Sequence, residues 1–259
     1  MAESKSPTAS NPQILIPVTA EQDARRRLRI KLKWGSAIVL TAAAAWGIYA
    51  ISMRPIHAHE AYDSGVRFYQ AARYEQAILS LDRAISLNAS MAEAYLARGR
   101  AYEGESKHSE AIRDFSSAVA LRPSDPTALL ERALLYLNQK DSSQATADAT
   151  RAIQLNPKLA EAYLLRGEAL RESGQPGKAI EDLTRAVELQ PGLGSYYQRA
   201  ATYQKLGEHQ RAIADFDRAI EYRPEASPAY FGRAESRRAM GDAQGARADV
   251  QAGQKLDGH

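Results

Sequence analysis

Along most of this chain, apolar residues recur at helical spacing, with small residues at fixed places inside the apolar stripe. The stretch AEAYLARGRAYEGESKHSEAIRDFSSAVALRP (92–123) shows the pattern: an aromatic-bearing amphipathic segment, a short polar break, a second amphipathic segment and a closing proline. Such a unit predicts two antiparallel helices of three to four turns each, joined by a tight turn. Pro123, Pro157 and Pro191 follow one another at intervals of 34 residues and Pro224 comes after a further 33. Aligned on those prolines, the chain divides into six units: 58–91, 92–125, 126–159, 160–192, 193–226 and 227–259.

Three positions within the units are small throughout. Position 8 is Gly65, Gly99, Ala133, Gly167, Ala200 and Ala234; position 20 is Ala77, Ala111, Ala145, Ala179, Ala212 and Ala246; position 27 is Ala84, Ala118, Ala152, Ala186, Ala219 and Gly253. Helices approach closely only where the contact positions lack bulk, and Phe68, Tyr102, Tyr136 and Tyr203 on one helix with Leu81, Phe115, Leu183 and Phe216 on the other fill the space left over. Together with the aromatic at position 4 and the proline at position 32, this pattern resembles the tetratricopeptide repeat (TPR). The resemblance covers residues 58–259 and implies an all-α solenoid of six helix-turn-helix units. The departures are Ala61 at position 4 and Ala89 for proline in the first unit, Ala149 for a bulky residue in the third, and a fourth unit one residue short.

The ends of the repeat region read differently from its middle. Positions 21 and 28 are apolar in most units, as in Ile112/Val119 and Ile213/Ile220, but become Arg247 and Gln254 in the sixth. This predicts a polar terminal face, with the stack closing there without an extra capping helix. Ahead of the repeats, residues 1–20 are rich in Ser, Pro, Thr and Ala and read as a disordered tail. Arg25, Arg26, Arg27, Arg29, Lys31 and Lys33 follow, so 1–33 is taken as tail plus basic juxtamembrane segment. From Trp34 to Met53 there are twenty residues without a charge, about 30 Å as a helix, enough to cross a bilayer. A buried globular helix and a cleaved signal peptide are the competing readings. The adjoining cations and the 33 residues in front favour an uncleaved anchor, giving one transmembrane helix at 34–53 and a linker at 54–57.

Charge separates the two parts of the chain. The formal net charge is +3, but residues 1–54 carry +5 and residues 55–259 carry −2. A nucleic-acid-binding domain would hold its basic excess on the folded part, so nucleic acid is not an expected partner. Six cations precede the apolar run and only Arg54, Arg67 and Arg73 follow closely, which predicts a cytoplasmic amino terminus with the repeats across the membrane, as in bacterial proteins that hold such repeats in the periplasm.

Candidate chemistry is sparse. The chain lacks cysteine, which removes thiolate metal sites and cysteine nucleophiles. His108 and His209 share position 17 and read as helix-start packing residues; His57 and His59 form an H-x-H pair without further metal ligands nearby. There is no nucleophile elbow, phosphate loop or zinc-protease motif. No enzyme activity, metal, cofactor or small-molecule substrate is expected. In the second to sixth units, position 7 is Arg98, Arg132, Arg166, Arg199 and Arg233, and position 23 is Asp114, Asp148, Asp182, Asp215 and Asp249; the first unit has Ser64 and Ser80. Their joint change predicts that the two positions meet across each helix pair.

The resemblance implies a ligand groove lined by the first helix of each pair. Position 5 there is Tyr62, Leu96, Leu130, Leu164, Tyr197 and Phe231; Leu134 and Leu137 add apolar surface in the third unit, and Arg100, Glu168 and Arg171 give a polar border. The lysine at position 5 and asparagine at position 9 with which chaperone-binding relatives clamp acidic tails do not occur together in any unit. The expectation is a membrane-anchored adaptor or assembly factor whose groove binds peptide segments of other proteins, with units two to four contributing most. A cytosol-facing import or quality-control receptor and a structural subunit of a membrane complex are the alternatives.

Overall fold

A computed structural model describes residues 20–258. Its described residues form twelve α-helices and no strand. The backbone divides into two compact units at Arg54/Pro55. The first helix, α1 (Ala20–Gln70), runs without interruption through both the expected juxtamembrane segment and the expected linker, and contains Pro55. The expected linker at 54–57 is therefore helical. Proline inside a helix removes one hydrogen bond and kinks the backbone without necessarily ending it. Residues 1–19, where a disordered tail is expected, lie outside the described residues. Some side chains of the expected span 34–53 lie outside the description too, although its backbone is helical. Among the described residues no helix is long and apolar enough to cross a membrane, so the transmembrane reading of 34–53 rests on the sequence.

In the second unit, the end of α1 pairs with α2 (Tyr74–Leu87), and five further pairs follow: α3 (Ala92–Gly104) with α4 (His108–Leu121), α5 (Thr127–Asn138) with α6 (Ser142–Leu155), α7 (Ala160–Glu172) with α8 (Pro176–Leu189), α9 (Leu193–Lys205) with α10 (His209–Tyr222), and α11 (Ser227–Ala239) with α12 (Ala243–Asp257). Each helix packs on its neighbours in sequence, and first helices of successive pairs, α5 with α7, α7 with α9 and α9 with α11, also meet. Second helices show no comparable pairing among the described residues, so first helices line the inner side of a curved stack.

The small positions act as sites of closest approach. A Cβ added to Gly65 or Gly99 would lie 2.5 Å from Leu81 Cγ or Phe115 Cε1 respectively, and one on Gly167 would lie 2.7 Å from Leu183 Cγ. Position 8 thus receives the bulky side chain of position 24, and Leu81, Phe115, Leu183 and Phe216 are buried as a result. In the third pair both partners are small: Ala133 and Ala149 are fully buried in one cluster with Leu129, Leu137 and Leu165. The residue missing from the fourth unit is absorbed in the loop before α9, where the Ser195 hydroxyl donates to Gln190 O at 3.0 Å and accepts from Gly192 N at 3.1 Å. Arg247 and Gln254 are exposed on α12, in keeping with a polar terminal face.

The turn inside each pair is fixed by one residue at position 15 with positive φ. It is Gly174, Gly207 and Gly241 in the last three pairs, but Ala72, Ser106 and Lys140 at φ 54°, 58° and 62° in the first three. The next residue's N–H reaches back five residues, as Asp141 N to Tyr136 O at 2.8 Å and Glu208 N to Tyr203 O at 2.9 Å, closing the helix end. A side chain at left-handed φ costs roughly 1–2 kcal/mol, and glycine avoids that cost.

The arginine at position 7 and the aspartate at position 23 meet in all five pairs that carry them. Arg132 donates Nε and Nη2 to the two carboxylate oxygens of Asp148, each at 2.7 Å, and the same fork joins Arg98 to Asp114, Arg166 to Asp182, Arg199 to Asp215 and Arg233 to Asp249. All five aspartates are buried, at 3–7% exposure. The third nitrogen, Nη1, extends to position 25 of the preceding pair, finding Asp82 from Arg98, Ser116 from Arg132 and Asp217 from Arg233 at 2.5–2.7 Å, with Thr150 and Thr184 more distant partners of Arg166 and Arg199. The guanidinium also lies over the position 4 ring in four pairs, 5.5–5.8 Å from Tyr95, Tyr163, Tyr196 and Tyr230. One arginine therefore ties three helices. For Arg98, Arg132, Arg166 and Arg199, hydrogen bonding to the aspartate raises the already high guanidinium pKa against the opposing effect of burial.

Two predictions follow from these contacts. Asp148→Ala strands Arg132 with only the Ser116 hydroxyl and should cost about 3 kcal/mol, whereas Asp114→Ala leaves Arg98 with Asp82 and should cost roughly 1 kcal/mol less. Arg132→Met with Asp148→Leu should recover much of the loss; denaturant unfolding of the four chains checks the order. Lys140→Gly should raise stability by about 1 kcal/mol and Gly174→Ala lower it by a similar amount, read from the shift in unfolding midpoint.

Candidate peptide-binding surface

The inner surface is built from the faces of α3, α5, α7, α9 and α11 and the end of α1 that do not meet a second helix. Its residues are fixed by polar ties between successive first helices. Arg100 Nε donates to Glu131 at 2.8 Å, Arg171 Nη2 to Gln198 at 3.1 Å, and Gln204 to Gly232 O and Ser236 at 2.7 and 2.9 Å. Arg100, expected as a border residue, is thus spent on the neighbouring helix. Glu168 and Arg171 are half-buried beside one another at 3.6 Å, and Arg171 Nε is buried without a hydrogen-bond partner. Burial pushes the Glu168 carboxyl above its ordinary pKa, while Arg171 pulls it down; burial does the same at Glu103, reinforced by Glu131.

The apolar row at position 5 does not form one open ridge. Leu130 and Leu137 are 7% and 6% exposed and belong to the core, which corrects the expectation that they line the groove. Leu96 packs against two core clusters and Tyr62 against another. Tyr197 sets its ring edge-on to Phe216 at 5.7 Å, and Phe231 occupies the space that a Cβ on Gly253 would need. The reason is geometric: position 5 on the first helix faces position 27 of the second as well as the inner surface, so the small residue at 27 admits it. Leu164 remains half-buried and Leu134 is exposed at 40%. Tyr62, Leu96, Tyr197 and Phe231 are half-buried like Leu164, Glu168 and Arg171, so of the expected groove residues Leu134 has the most open side chain.

Sequence reasoning missed the recesses between successive pairs. Between the second and third, Ala92, Leu96, Ala118 and Ala128 line a notch of about 50 Å³, across which Arg122 donates to Glu93 at 2.6 Å. At the corresponding place between the fifth and sixth, the residue matching Glu93 is Gly194, and among the described residues Arg223 pairs with Glu225 of its own loop, at 3.7 Å. The recess there opens to about 540 Å³, with Leu193, Tyr197, Ala226, Pro228 and Ala229 as apolar walls and Arg223 and Glu225 at the rim. The signal available in the sequence was the loss of a carboxylate at position 2 of that unit. Among the described residues, no group of His, Asp or Glu is placed to hold a metal ion. His108 and His209 open α4 and α10.

Known proteins agree with this architecture. Two tetratricopeptide repeat models match residues 62–126 and 130–193, and 195–225, together more than half of the chain. No curated protein matches in sequence. Among solved structures, PilF of Pseudomonas aeruginosa is 18% identical with a TM-score of 0.68, covering 80% of this chain and 95% of its own. A tetratricopeptide repeat protein of Parabacteroides merdae is 22% identical with a TM-score of 0.66, covering 75% and 78%. YrrB, described as a TPR protein with an unusual peptide-binding site, is 22% identical with a TM-score of 0.55, covering 65% and 88%. At these identities the likeness is one of fold. With the repeat models matching across the helix pairs described above, the chain belongs to the tetratricopeptide repeat family.

Proposed function

We propose that this protein is a membrane-anchored adaptor or assembly factor whose repeat stack captures peptide segments of partner proteins close to the membrane. The observation that carries the binding half is the open apolar recess between α9 and α11, with Gly194 at its mouth and a charged rim. A recess of this kind accepts one bulky apolar side chain, and a rim with both signs of charge sets the register of the flanking peptide. Leu134, Leu164, Glu168 and Arg171 extend the contact surface toward the middle repeats. YrrB provides a parallel on the same fold, being described as having a peptide-binding site. The repeats contain arginines and carboxylates that are already paired with one another, which favours an apolar anchor over a charge clamp as the means of recognition.

The membrane half is supported by the charge-free run 34–53 beside six cations, and by Val39, Trp46, Ile48 and Ile51 on α1, each 66–73% exposed. Lipid is the medium in which such side chains would be covered. The positive-inside rule places the amino terminus in the cytoplasm and the repeats on the far side, in a bacterium the periplasm. Peptides selected from a displayed random library on the full chain should share a large apolar residue. Gly194→Trp, which fills the recess from its rim, should abolish their capture with helicity unchanged; equal capture by that variant would move the binding surface elsewhere. For topology, protease added to intact spheroplasts should digest 58–259, and protection of that region would reverse the orientation.

A further inference from the structure

The first pair differs from the other five at the place where they carry their brace. Elsewhere a large residue at position 4 (Tyr95, Leu129, Tyr163, Tyr196, Tyr230), the arginine at position 7 and the aspartate at position 23 fill one region of each pair. In the first pair all three are cut back, to Ala61, Ser64 and Ser80, and a recess of about 260 Å³ remains. Its rim holds Arg67 and Arg83.

Both arginines are exposed, and each differs from its counterparts in the other pairs. Position 10, where Arg67 stands, is otherwise Ala101, Leu135, Ala169, Thr202 and Ser236, each fully buried. Position 26, where Arg83 stands, carries arginine in three other pairs, and each is engaged: Arg151 with Pro123 O, Arg185 with Glu188 and Arg218 with Glu221. Arg67 and Arg83 make no ion pair or hydrogen bond through their side chains among the described residues, and the half-buried hydroxyls of Ser64 and Ser80 make none either. The one carboxylate on the recess, Glu60, shares a hydrogen bond with His57 at 3.1 Å, and nearby Asp82 is held by Arg98. Two hydroxyl donors and two uncommitted guanidinium groups around an open space, with Asp82 already matched by Arg98, is the donor set that holds a tetrahedral oxyanion.

We infer that the recess between Ser64 and Ser80 is a phosphate-binding site, with the hydroxyls donating from its walls and Arg67 and Arg83 closing on the group from the rim. The chemistry is shared by a free phosphate ion or monoester and by a phospholipid headgroup. The site lies outside the peptide-binding surface and stands or falls independently of it.

The test is calorimetric titration of the full chain, in non-ionic detergent and phosphate-free buffer, with inorganic phosphate and separately with a short-chain phosphatidylglycerol below its micellar concentration. Saturable binding at about 1 mM or tighter is expected for at least one, weakening at least tenfold in R67Q and in R83Q. Binding of both probes identifies a site for phosphate groups in general; binding of the lipid alone identifies a headgroup site. Ser64→Arg with Ser80→Asp rebuilds the brace of the other pairs and should abolish binding while preserving helicity. Should that double variant misfold, the two arginine variants decide. No saturable binding below about 10 mM, or full binding by the folded S64R/S80D chain, would leave the recess as a solvated end face and overturn the site.

Discussion

The repeat stack depends on a half-buried arginine that satisfies two helices at once and a third through its remaining nitrogen. A carboxylate exposed at 3–7% is costly to bury, and a bidentate guanidinium with both oxygens engaged offsets that cost. Because the fork is planar and rigid, it fixes both the distance and the rotation of the second helix relative to the first. The Nη1 contact to the preceding pair carries that orientation along the stack. Where the acceptor there is a carboxylate, as Asp82 and Asp217, the link is an ion pair; where it is Ser116, Thr150 or Thr184, it is a neutral contact. The ends of the stack are therefore tied more strongly across pairs than its middle.

The close approach at position 8 and the brace at positions 7 and 23 are two parts of one arrangement. Small residues let the helices come together, and the guanidinium decides at what angle. The third pair shows the balance: with Ala133 facing Ala149, bulk is lost at the contact, and Leu129, Leu135 and Leu137 supply the nearby core instead. Those leucines are the reason that the inner surface of this pair is less open than its composition suggests. Side chains that leave a ligand surface for the core contribute to stability at the expense of recognition area.

Recognition consequently sits where packing is incomplete. The recess between the fifth and sixth pairs exists because Gly194 cannot reach across to Arg223, as Glu93 reaches Arg122 three pairs earlier. The recess in the first pair exists because Ala61, Ser64 and Ser80 leave unfilled what a tyrosine, an arginine and an aspartate fill elsewhere. In a repeat protein, each unit serves as a reference for the others, so a departure from the common pattern marks where the chain has exchanged internal contacts for open surface.

The helix pairs, their small contact positions and the arginine–aspartate pairing were legible in the sequence, because each repeats at a fixed spacing and a repeated spacing reflects a local geometry that every unit must share. Only tertiary structure decided three other matters. It showed α1 running through the expected linker, since nothing in the residues from Arg54 to His57 marks a helix end strongly enough to stop it. It placed Leu130 and Leu137 in the core, because a position on a helix face does not state how closely the neighbouring pair will cover it. It also revealed that Arg122 reaches Glu93 while Arg223 finds no counterpart at Gly194: the residues of each recess lie about 30 apart in the chain and meet only when one pair stacks on the next.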